Sequence, residues 1–307
     1  MVDNKISIDI AMCTYRRDSV IDTLNSLQKL QLDNDWQVRI IVADNDAVPS
    51  AQQRVLSVDQ TNIPVIYIHA PQSNISIARN ACLSLSDSQW LAFIDDDELA
   101  MPGWLKALMQ TATSTSAQVV LGPVDARYDP EFCEDWMSKG GFYQTRPVYV
   151  NGAILTGYTC NVLLDRRDER VKNADFDLAL GKTGGEDTVL FSELYKQGCI
   201  IKYAQKAVLI EPITLPRASL KWLWLRRYRS GQTHGMLLAD RVISLTDKLK
   251  QILIASVKAS FCHIMLLLTL WNPVAWRRWW LRGGLHLGVV SSLLGKDTLV
   301  QYGEAKK

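Results

Sequence analysis

Residues 90–98 read Trp-Leu-Ala-Phe-Ile-Asp-Asp-Asp-Glu, and this stretch decides the fold prediction. Its apolar half is typical of a buried strand. Similar apolar runs occur earlier in the chain, at 6–13, 38–43 and 65–69. Apolar residues recur at helical spacing in 75–85 and again in 104–109. Strands that alternate with helices predict an α/β fold with a mostly parallel sheet flanked by helices.

Polar residues follow three of these predicted strands. Thr14-Tyr15-Arg16-Arg17 comes after the first, Asp44-Asn45-Asp46 after the second, and Asp95-Asp96-Asp97-Glu98 after the fourth. In parallel sheets ligands bind at the carboxyl ends of the strands. Turn chemistry explains a single Asp or Asn there, but four successive acids repel one another unless a cation lies among them. Asp95 and Asp97 point the same way in an extended chain, and such oxygen ligands suit Mg²⁺ or Mn²⁺ carrying a substrate phosphate.

Composition excludes several other classes of protein. The chain has 307 residues, of which 48% are hydrophobic and 21% charged, as in globular proteins and unlike disordered ones. The first glycine is Gly103, so the first strand lacks the glycines that a Walker or dinucleotide-binding loop needs. The six cysteines show no C-x-x-C pair, which indicates core thiols in a reducing compartment. The N-terminal residues contain no secretory apolar segment, so we expect a cytoplasmic location.

The charge is divided unevenly along the chain. From Arg217 onward there are 15 Lys and Arg against 4 Asp and Glu, or +11, whereas the preceding 216 residues carry −9. Six of the ten tryptophans also lie in this basic part, which predicts a role of its own. No nucleic-acid recognition motif accompanies the basic residues, so we expect no nucleic acid partner.

Within the basic part, residues 252–271 form an apolar stretch that Lys258 and His263 interrupt, and Trp and Arg alternate in 271–282. The stretch is long enough to span a membrane. However, a lysine near its middle is costly in hydrocarbon, and interleaved Trp and Arg are typical of a helix lying at an anionic membrane surface. In-plane attachment is therefore favoured over a span, and ordinary packing on the rest of the protein is the remaining alternative.

Several segments together resemble the inverting glycosyltransferases of family 2, which have the GT-A fold. The resemblance rests on Thr14-Tyr15-Arg16, Asp44, Ala78-Arg79-Asn80, Phe93 to Asp97, and Gly184-Gly185-Glu186-Asp187. The segment Thr156 to Asn161 resembles the acceptor side of the same enzymes. The likeness extends over about residues 5 to 215 and is strongest to bacterial exopolysaccharide enzymes that extend lipid-linked oligosaccharides.

This resemblance implies a role for each matching residue. The nucleotide sugar would bind at Thr14, Arg16, Asp44, Arg79, Asp95 and Asp96. Asp44 would accept the uracil N3–H, and Arg79 would lie near the uracil and phosphates. Asp97 would ligate the metal, with Asp95 contacting the ribose or the metal's waters. The alternatives are a turn residue at Asp44 and a surface ion pair at Arg79.

The resemblance assigns the catalytic base to Asp187, whose expected place at a helix N-terminus favours the anionic form. Glu186 would bind the acceptor sugar or orient that base. His234, between Gly231 and Gly235, is predicted to lie at a loop or helix break and to complete the metal shell, as a distant histidine does in some GT-A enzymes. The alternative is that His234 is a residue at a helix end that binds no metal.

The prediction is therefore a catalytic domain at 1–216, with donor binding in about 1–100 and the acceptor and base in about 101–216. A membrane-associating helical region would follow at 217–307. The expected reaction is Mg²⁺- or Mn²⁺-dependent transfer of one hexose from a UDP-sugar to a saccharide on polyprenyl diphosphate, at the cytoplasmic face of the inner membrane. Single addition is expected because the Gln-x-x-Arg-Trp pattern of processive synthases is missing. The alternatives are a nucleotidyltransferase and a non-catalytic nucleotide-sugar-binding scaffold.

Overall fold

The structure is a computed structural model, and it describes residues 5–239 and 244–299. The chain forms two compact units. Within the described residues, the first unit comprises the chain up to Asp125 together with Thr145–Glu211, and the second comprises Ala126–Gln144 and residues 212–299. The functional division at residue 216 stays a prediction. All six cysteines are free thiols.

The strands, in chain order, are β1 (Ile6–Thr14), β2 (Trp36–Asp44), β3 (Val65–His69), β4 (Trp90–Ile94), β5 (Leu99–Ala100), β6 (Val119–Leu121), β7 (Val124–Arg127), β8 (Tyr149–Val150), β9 (Ala153–Ile154), β10 (Asn161–Asp165), β11 (Ile201–Tyr203) and β12 (Leu209–Pro212). The helices are α1 (Val20–Leu27), α2 (Gln52–Leu56), α3 (Ile75–Leu85), α4 (Trp104–Thr115), α5 (Asp135–Gly140), α6 (Glu169–Lys172), α7 (Glu186–Lys196), α8 (Leu220–Ala239), α9 (Leu245–Leu268) and α10 (Ala275–Leu293).

A seven-stranded sheet with the order β11-β6-β10-β4-β1-β2-β3 forms the centre of the first unit. β1 pairs in parallel with β2 and β4, and β2 pairs in parallel with β3. β10 runs antiparallel to both β4 and β6. The predicted mostly parallel α/β sheet is confirmed. Smaller sheets have the order β5-β12-β7 and β8-β9.

Both faces of the central sheet are covered. Ile8, Ile10 and Met12 of β1 pack into one hydrophobic core, whereas Ala11 of the same strand belongs to the core on the other face. Alternation of side chains along a strand produces this division. Since β1 lies next to β4, the residues that follow these two strands emerge at the same edge of the sheet.

Helices α8 and α10 of the second unit pack closely through glycines. A Cβ at Gly231 would overlap the carbonyl oxygen of Leu285, and a Cβ at Gly288 would overlap that of Tyr228. Small residues four apart allow two helix backbones to approach in this way. The predicted break around Gly231 and Gly235 is therefore wrong, because α8 continues through both glycines and uses them for packing.

Candidate active site

The carboxyl ends of β1 and β4 meet through hydrogen bonds. The Thr14 hydroxyl donates to Asp96 Oδ2 at 2.8 Å, and Arg17 pairs with Asp97 and lies 3.3 Å from Asp96 Oδ1. Burial raises the pKa of Asp96 to about 7, although Arg17 and Thr14 favour the ionised form. Asp96 therefore links the two strand ends. The pairing of Arg17 with Asp96 and Asp97 has no local sequence pattern, so it was not predicted.

Asp95 and Asp97 differ from Asp96 in their surroundings. The Asp95 side chain is 46% exposed and that of Asp97 is 14% exposed. Among the described residues no group of three or more His, Cys, Asp or Glu could hold a metal ion. Two carboxylates nevertheless fit Mg²⁺, which commonly takes one or two carboxylates and completes its shell with water and substrate phosphate.

Glu98 and Glu211 are buried acids close to these residues. Glu98 was one of the four successive acids seen in the sequence, but neither residue was given a role of its own. Glu98 is 2% exposed, and its Oε2 accepts the backbone N–H of Asp95 at 3.2 Å. Burial raises the pKa of Glu98 well above its ordinary value, and the charges of Asp95 and Glu211 raise it further. The position of Glu98 directly after three aspartates was the available signal for this role.

At the end of β2, Asp44 organises the loop that follows. It is fully buried, and its carboxylate accepts hydrogen bonds from the backbone N–H groups of Asp46 at 3.1 Å and Ala51 at 2.8 Å, and from the Tyr67 hydroxyl at 2.9 Å. Arg16 pairs with Asp46 at 2.8 Å. Asp44 thus stabilises a turn, as the alternative considered from the sequence predicts. Its contact with uracil stays a prediction.

Helix α7 begins at the catalytic acids predicted from the sequence. Gly184 and Gly185 have φ of 83° and 99°, a left-handed conformation that favours glycine, so they form the turn that starts the helix. Glu186 and Asp187 occupy the first turn of α7. Asp187 Oδ1 accepts the Thr188 backbone N–H at 2.6 Å.

Arg79 of α3 connects this helix end to the strand ends. Its Nη1 pairs with Glu186 Oε1, and its Nη2 lies 3.9 Å from Asp95 Oδ1. Arg79 and Glu186 are only 6% and 3% exposed. The structure thus brings Asp95, Arg79, Glu186 and Asp187 into one region of the first unit. The ion pair considered for Arg79 is buried and not on the surface.

The predicted acceptor-side segment, Thr156 to Asn161, borders α7. The Thr156 hydroxyl donates to the Thr188 carbonyl at 3.0 Å, and a side chain at Gly157 would collide with Phe191. Asn161 is fully buried, and its amide donates to the carbonyls of Pro123 and Ala207, both at 2.8 Å. Asn161 therefore has a structural role, and acceptor contact by this segment stays a prediction.

His234 lies in the second unit, exposed on helix α8. Burial lowers the pKa of His286 on α10, and the charges of Lys258, Arg282 and His234 lower it further, so these four groups are neighbours. His234 thus shares a basic environment, and its role as a metal ligand stays a prediction.

A surface cleft of about 560 Å³ lies between α6 and α7, with Arg170, Val189 and Glu193 among its lining residues. It contains none of the predicted site residues. The strand ends are the candidate active site, because buried charged residues are concentrated there.

Comparison with known proteins identifies the family of the chain. Residues 9–171 match the model of glycosyl transferase family 2. The chain is 44% identical to succinoglycan biosynthesis protein ExoM of Rhizobium meliloti (strain 1021), over 99% of this chain and 98% of that protein.

Two solved structures share the fold. One is the mannosyltransferase PcManGT of Pyrobaculum calidifontis in complex with GDP-Man and Mn²⁺, with a TM-score of 0.62, 15% identity, and coverage of 95% of this chain and 88% of that one. The other is TarS of S. aureus, with a TM-score of 0.50, 15% identity, and coverage of 93% and 55%. The chain is a glycosyltransferase with a GT-A-like sheet, and it belongs to glycosyl transferase family 2.

Proposed function

We propose that the chain transfers a single hexose, with inversion, from a UDP-sugar to a saccharide carried on polyprenyl diphosphate, in exopolysaccharide synthesis. The observation that carries the proposal is the connection from the half-exposed Asp95 through the buried Arg79 to the buried Glu186. This connection links the end of β4, whose acids would bind the donor diphosphate, with the start of α7, which bears Asp187. The 44% identity to a succinoglycan biosynthesis protein supports the exopolysaccharide context.

In this proposal Asp187 is the catalytic base. It accepts the proton of an acceptor hydroxyl, whose oxygen attacks C1 of the sugar while the bond from C1 to the diphosphate breaks and UDP leaves. One displacement inverts C1, and one positioned carboxylate is sufficient for the proton transfer. Asp187 lies in the first turn of α7, beside Glu186.

Asp95 and Asp97 would hold a divalent cation, Mg²⁺ or Mn²⁺, which when bound supplies positive charge to the leaving diphosphate. The Mn²⁺ in the PcManGT complex supports divalent metal use. Thr14, Arg16, Asp44 and Asp96 would shape the nucleotide end of the site, since their hydrogen bonds and ion pairs fix the loops after β1, β2 and β4.

The second unit would attach the enzyme to the cytoplasmic face of the membrane through α9. An 18-residue window of Leu245–Leu268 has a mean hydropathy of 1.8, and the helix is long and apolar enough to cross a membrane. Its exposed face carries Leu253, Val257, Ile264 and Leu267, and Trp271 follows with 82% exposure. The opposite face is buried at Ala255, Ala259 and Cys262.

This arrangement supports attachment in the membrane plane. A single spanning helix is surrounded by hydrocarbon. In contrast, α9 exposes an apolar stripe on one side, and its other side packs within the second unit. Lys258 lies about 140° around the helix from Leu253 and is off the stripe. His263 is also off it, with Nδ1 2.7 Å from the Ala259 carbonyl oxygen and its ring against Trp280.

The test is UDP release from a panel of UDP-sugars, with Mn²⁺ and a polyprenyl-diphosphate saccharide as acceptor. Asp187→Asn should bind UDP as the unmodified chain does and transfer on the order of 10²-fold more slowly. Glu193→Gln, an exposed acid on the same helix, is the matched control and should retain activity. Transfer at the unmodified rate by Asp187→Asn would show that the base lies elsewhere.

A further inference from the structure

Arg79 lies closer to the start of α7, which bears the predicted catalytic base Asp187, than to the ends of the strands. Its Nη1 pairs directly with Glu186 of α7, whereas its Nη2 is 3.9 Å from Asp95. Its guanidinium carbon lies 5.5 Å from the centre of the Phe176 ring, in the segment that leads into α7. Glu186 and Phe176, two of these three contacts, therefore belong to the region of the predicted base.

Helix α3, which carries Arg79, is bound to that segment by hydrogen bonds. Asn80 donates to the Phe176 carbonyl at 2.9 Å and accepts the Phe176 N–H at 2.8 Å. Asn74 donates to the Leu178 carbonyl at 2.9 Å, and Ser76 donates to the Asp177 carbonyl at 2.8 Å.

The same segment approaches α3 very closely. The Ile75 N–H donates to the Gly181 carbonyl at 3.0 Å, and a side chain at Gly181 would overlap the Asn74 amide. The hydrogen bonds and this close packing fix α3 to residues 176–181. The backbone of Arg79 is therefore held at a fixed distance from the start of α7.

Glu186 depends on a cation for its charge. It is 3% exposed, and its Oε2 is buried without a hydrogen-bond partner among the described residues. Burial raises its pKa above the ordinary value, and Arg79 opposes that shift. Removal of one partner from a buried ion pair leaves an uncompensated charge, which is strongly unfavourable. Glu186 and Asp187 are adjacent in one helical turn, so a shift of Glu186 also moves Asp187.

We propose that Arg79 is a positioning residue, which holds the first turn of α7 through Glu186 and thereby sets Asp187 beside the donor acids. This inference rests on the proposed function, because it concerns the base of the transfer reaction. The role that the family resemblance implies for Arg79, contact with the uracil and phosphates, is the competing outcome of the test.

The test is a double-variant cycle of Arg79→Gln and Glu186→Gln, with Arg79→Lys as the conservative variant. Lys196→Gln and Glu193→Gln, an exposed ion pair at the other end of α7, form the matched control cycle. Each variant is assayed for kcat at saturating donor, for the Kd of UDP with Mn²⁺ by calorimetry, and for melting temperature.

Each single substitution in the buried pair should lower kcat on the order of 10²-fold, the cost of misplacing a reacting group by about 1 Å. The Kd of UDP should stay within about threefold. The double variant should be no slower than either single variant, because the two residues act as one unit. Arg79→Lys should recover part of kcat, and the control cycle should change neither quantity.

A rise in the Kd of UDP of about tenfold or more in Arg79→Gln, with kcat unchanged, would make Arg79 a nucleotide ligand. A double variant that loses the product of the two single losses would show that the residues act independently. If Arg79→Gln does not fold, the double variant replaces it and is compared with Glu186→Gln. Equal kcat and equal Kd of UDP in these two variants would support the proposal. Weaker binding of UDP by the double variant would overturn it.

The proposed function can fail separately. If the unmodified chain turns over no UDP-sugar, that function is wrong. Arg79 is then judged by UDP affinity and melting temperature alone. Unchanged affinity, with a melting temperature that Glu186→Gln restores in the Arg79→Gln background, would support the buried pair, and lost affinity would overturn it.

Discussion

Replacing two leucines on the exposed stripe of α9 should release the protein from membranes. Leu253 and Leu267 are each 65% exposed. Full burial of a leucine side chain stabilises by about 1.5–3 kcal/mol, so bilayer insertion of the exposed part would contribute about 1–2 kcal/mol for each. Leu253→Gln with Leu267→Gln should therefore weaken membrane partitioning by about 2–4 kcal/mol, or roughly 30- to 700-fold.

The assay is co-sedimentation with vesicles of phosphatidylglycerol and phosphatidylethanolamine over a range of lipid concentrations. Leu56→Gln with Leu178→Gln is the matched control, because both leucines are 53% exposed but lie in the first unit. Circular dichroism verifies that the total helix content is unchanged. If the stripe variant partitions within about threefold of the unmodified protein, α9 does not enter the bilayer and the in-plane attachment is wrong.

Three further outcomes are expected. Gly288→Ala should lower the melting temperature, because overpacking against the Tyr228 carbonyl costs about 1–3 kcal/mol, whereas Gly103→Ala, in open space, should leave it nearly unchanged; equal melting temperatures would contradict the close packing of α8 on α10. The lowered pKa of His286 means that the folded state binds fewer protons than the unfolded state just below the ordinary value of 6.5. Stability should therefore fall as the pH drops below about 6.5, and His286→Asn should reduce the difference between melting temperatures at pH 7.5 and pH 5; an undiminished difference would assign it to other groups. Asp97→Asn should lose Mn²⁺-dependent binding of UDP in calorimetry while keeping its circular dichroism spectrum, and unchanged Mn²⁺-dependent affinity would remove Asp97 from the metal site.

The parallel half of the sheet was predictable because each of its strands is a separate apolar run. β4 is buried at all five positions, as expected for a central strand covered on both faces. β10, the antiparallel neighbour of β4, was not predicted, although Val162 to Leu164 are just as buried. Its short run directly follows Thr156 to Cys160, and those polar residues led the interpretation toward acceptor binding.

The site was partly predictable for a similar reason. The acids at 95–98 and 186–187 are contiguous, so local patterns revealed them. The pairing of Arg79 with Glu186 joins residues 107 positions apart and has no local pattern. Gly231 and Gly235 were misinterpreted as a break, although a spacing of four, repeated at Gly284 and Gly288, is also typical of close helix packing.

The charge division seen in the sequence persists in the folded protein. Among ion pairs with both partners in the described ranges, Lys139–Asp135 is the one that lies in the second unit, and all the others belong to the first. Arg277 packs against the Trp136 and Trp276 rings at 4.5 and 4.4 Å, and Arg282 lies 5.7 Å from the Trp279 ring. Aromatic rings hold these cations without neutralising their charge. These ion pairs are thus concentrated in the acidic first unit, whereas the second carries a net positive charge that an anionic lipid surface would attract.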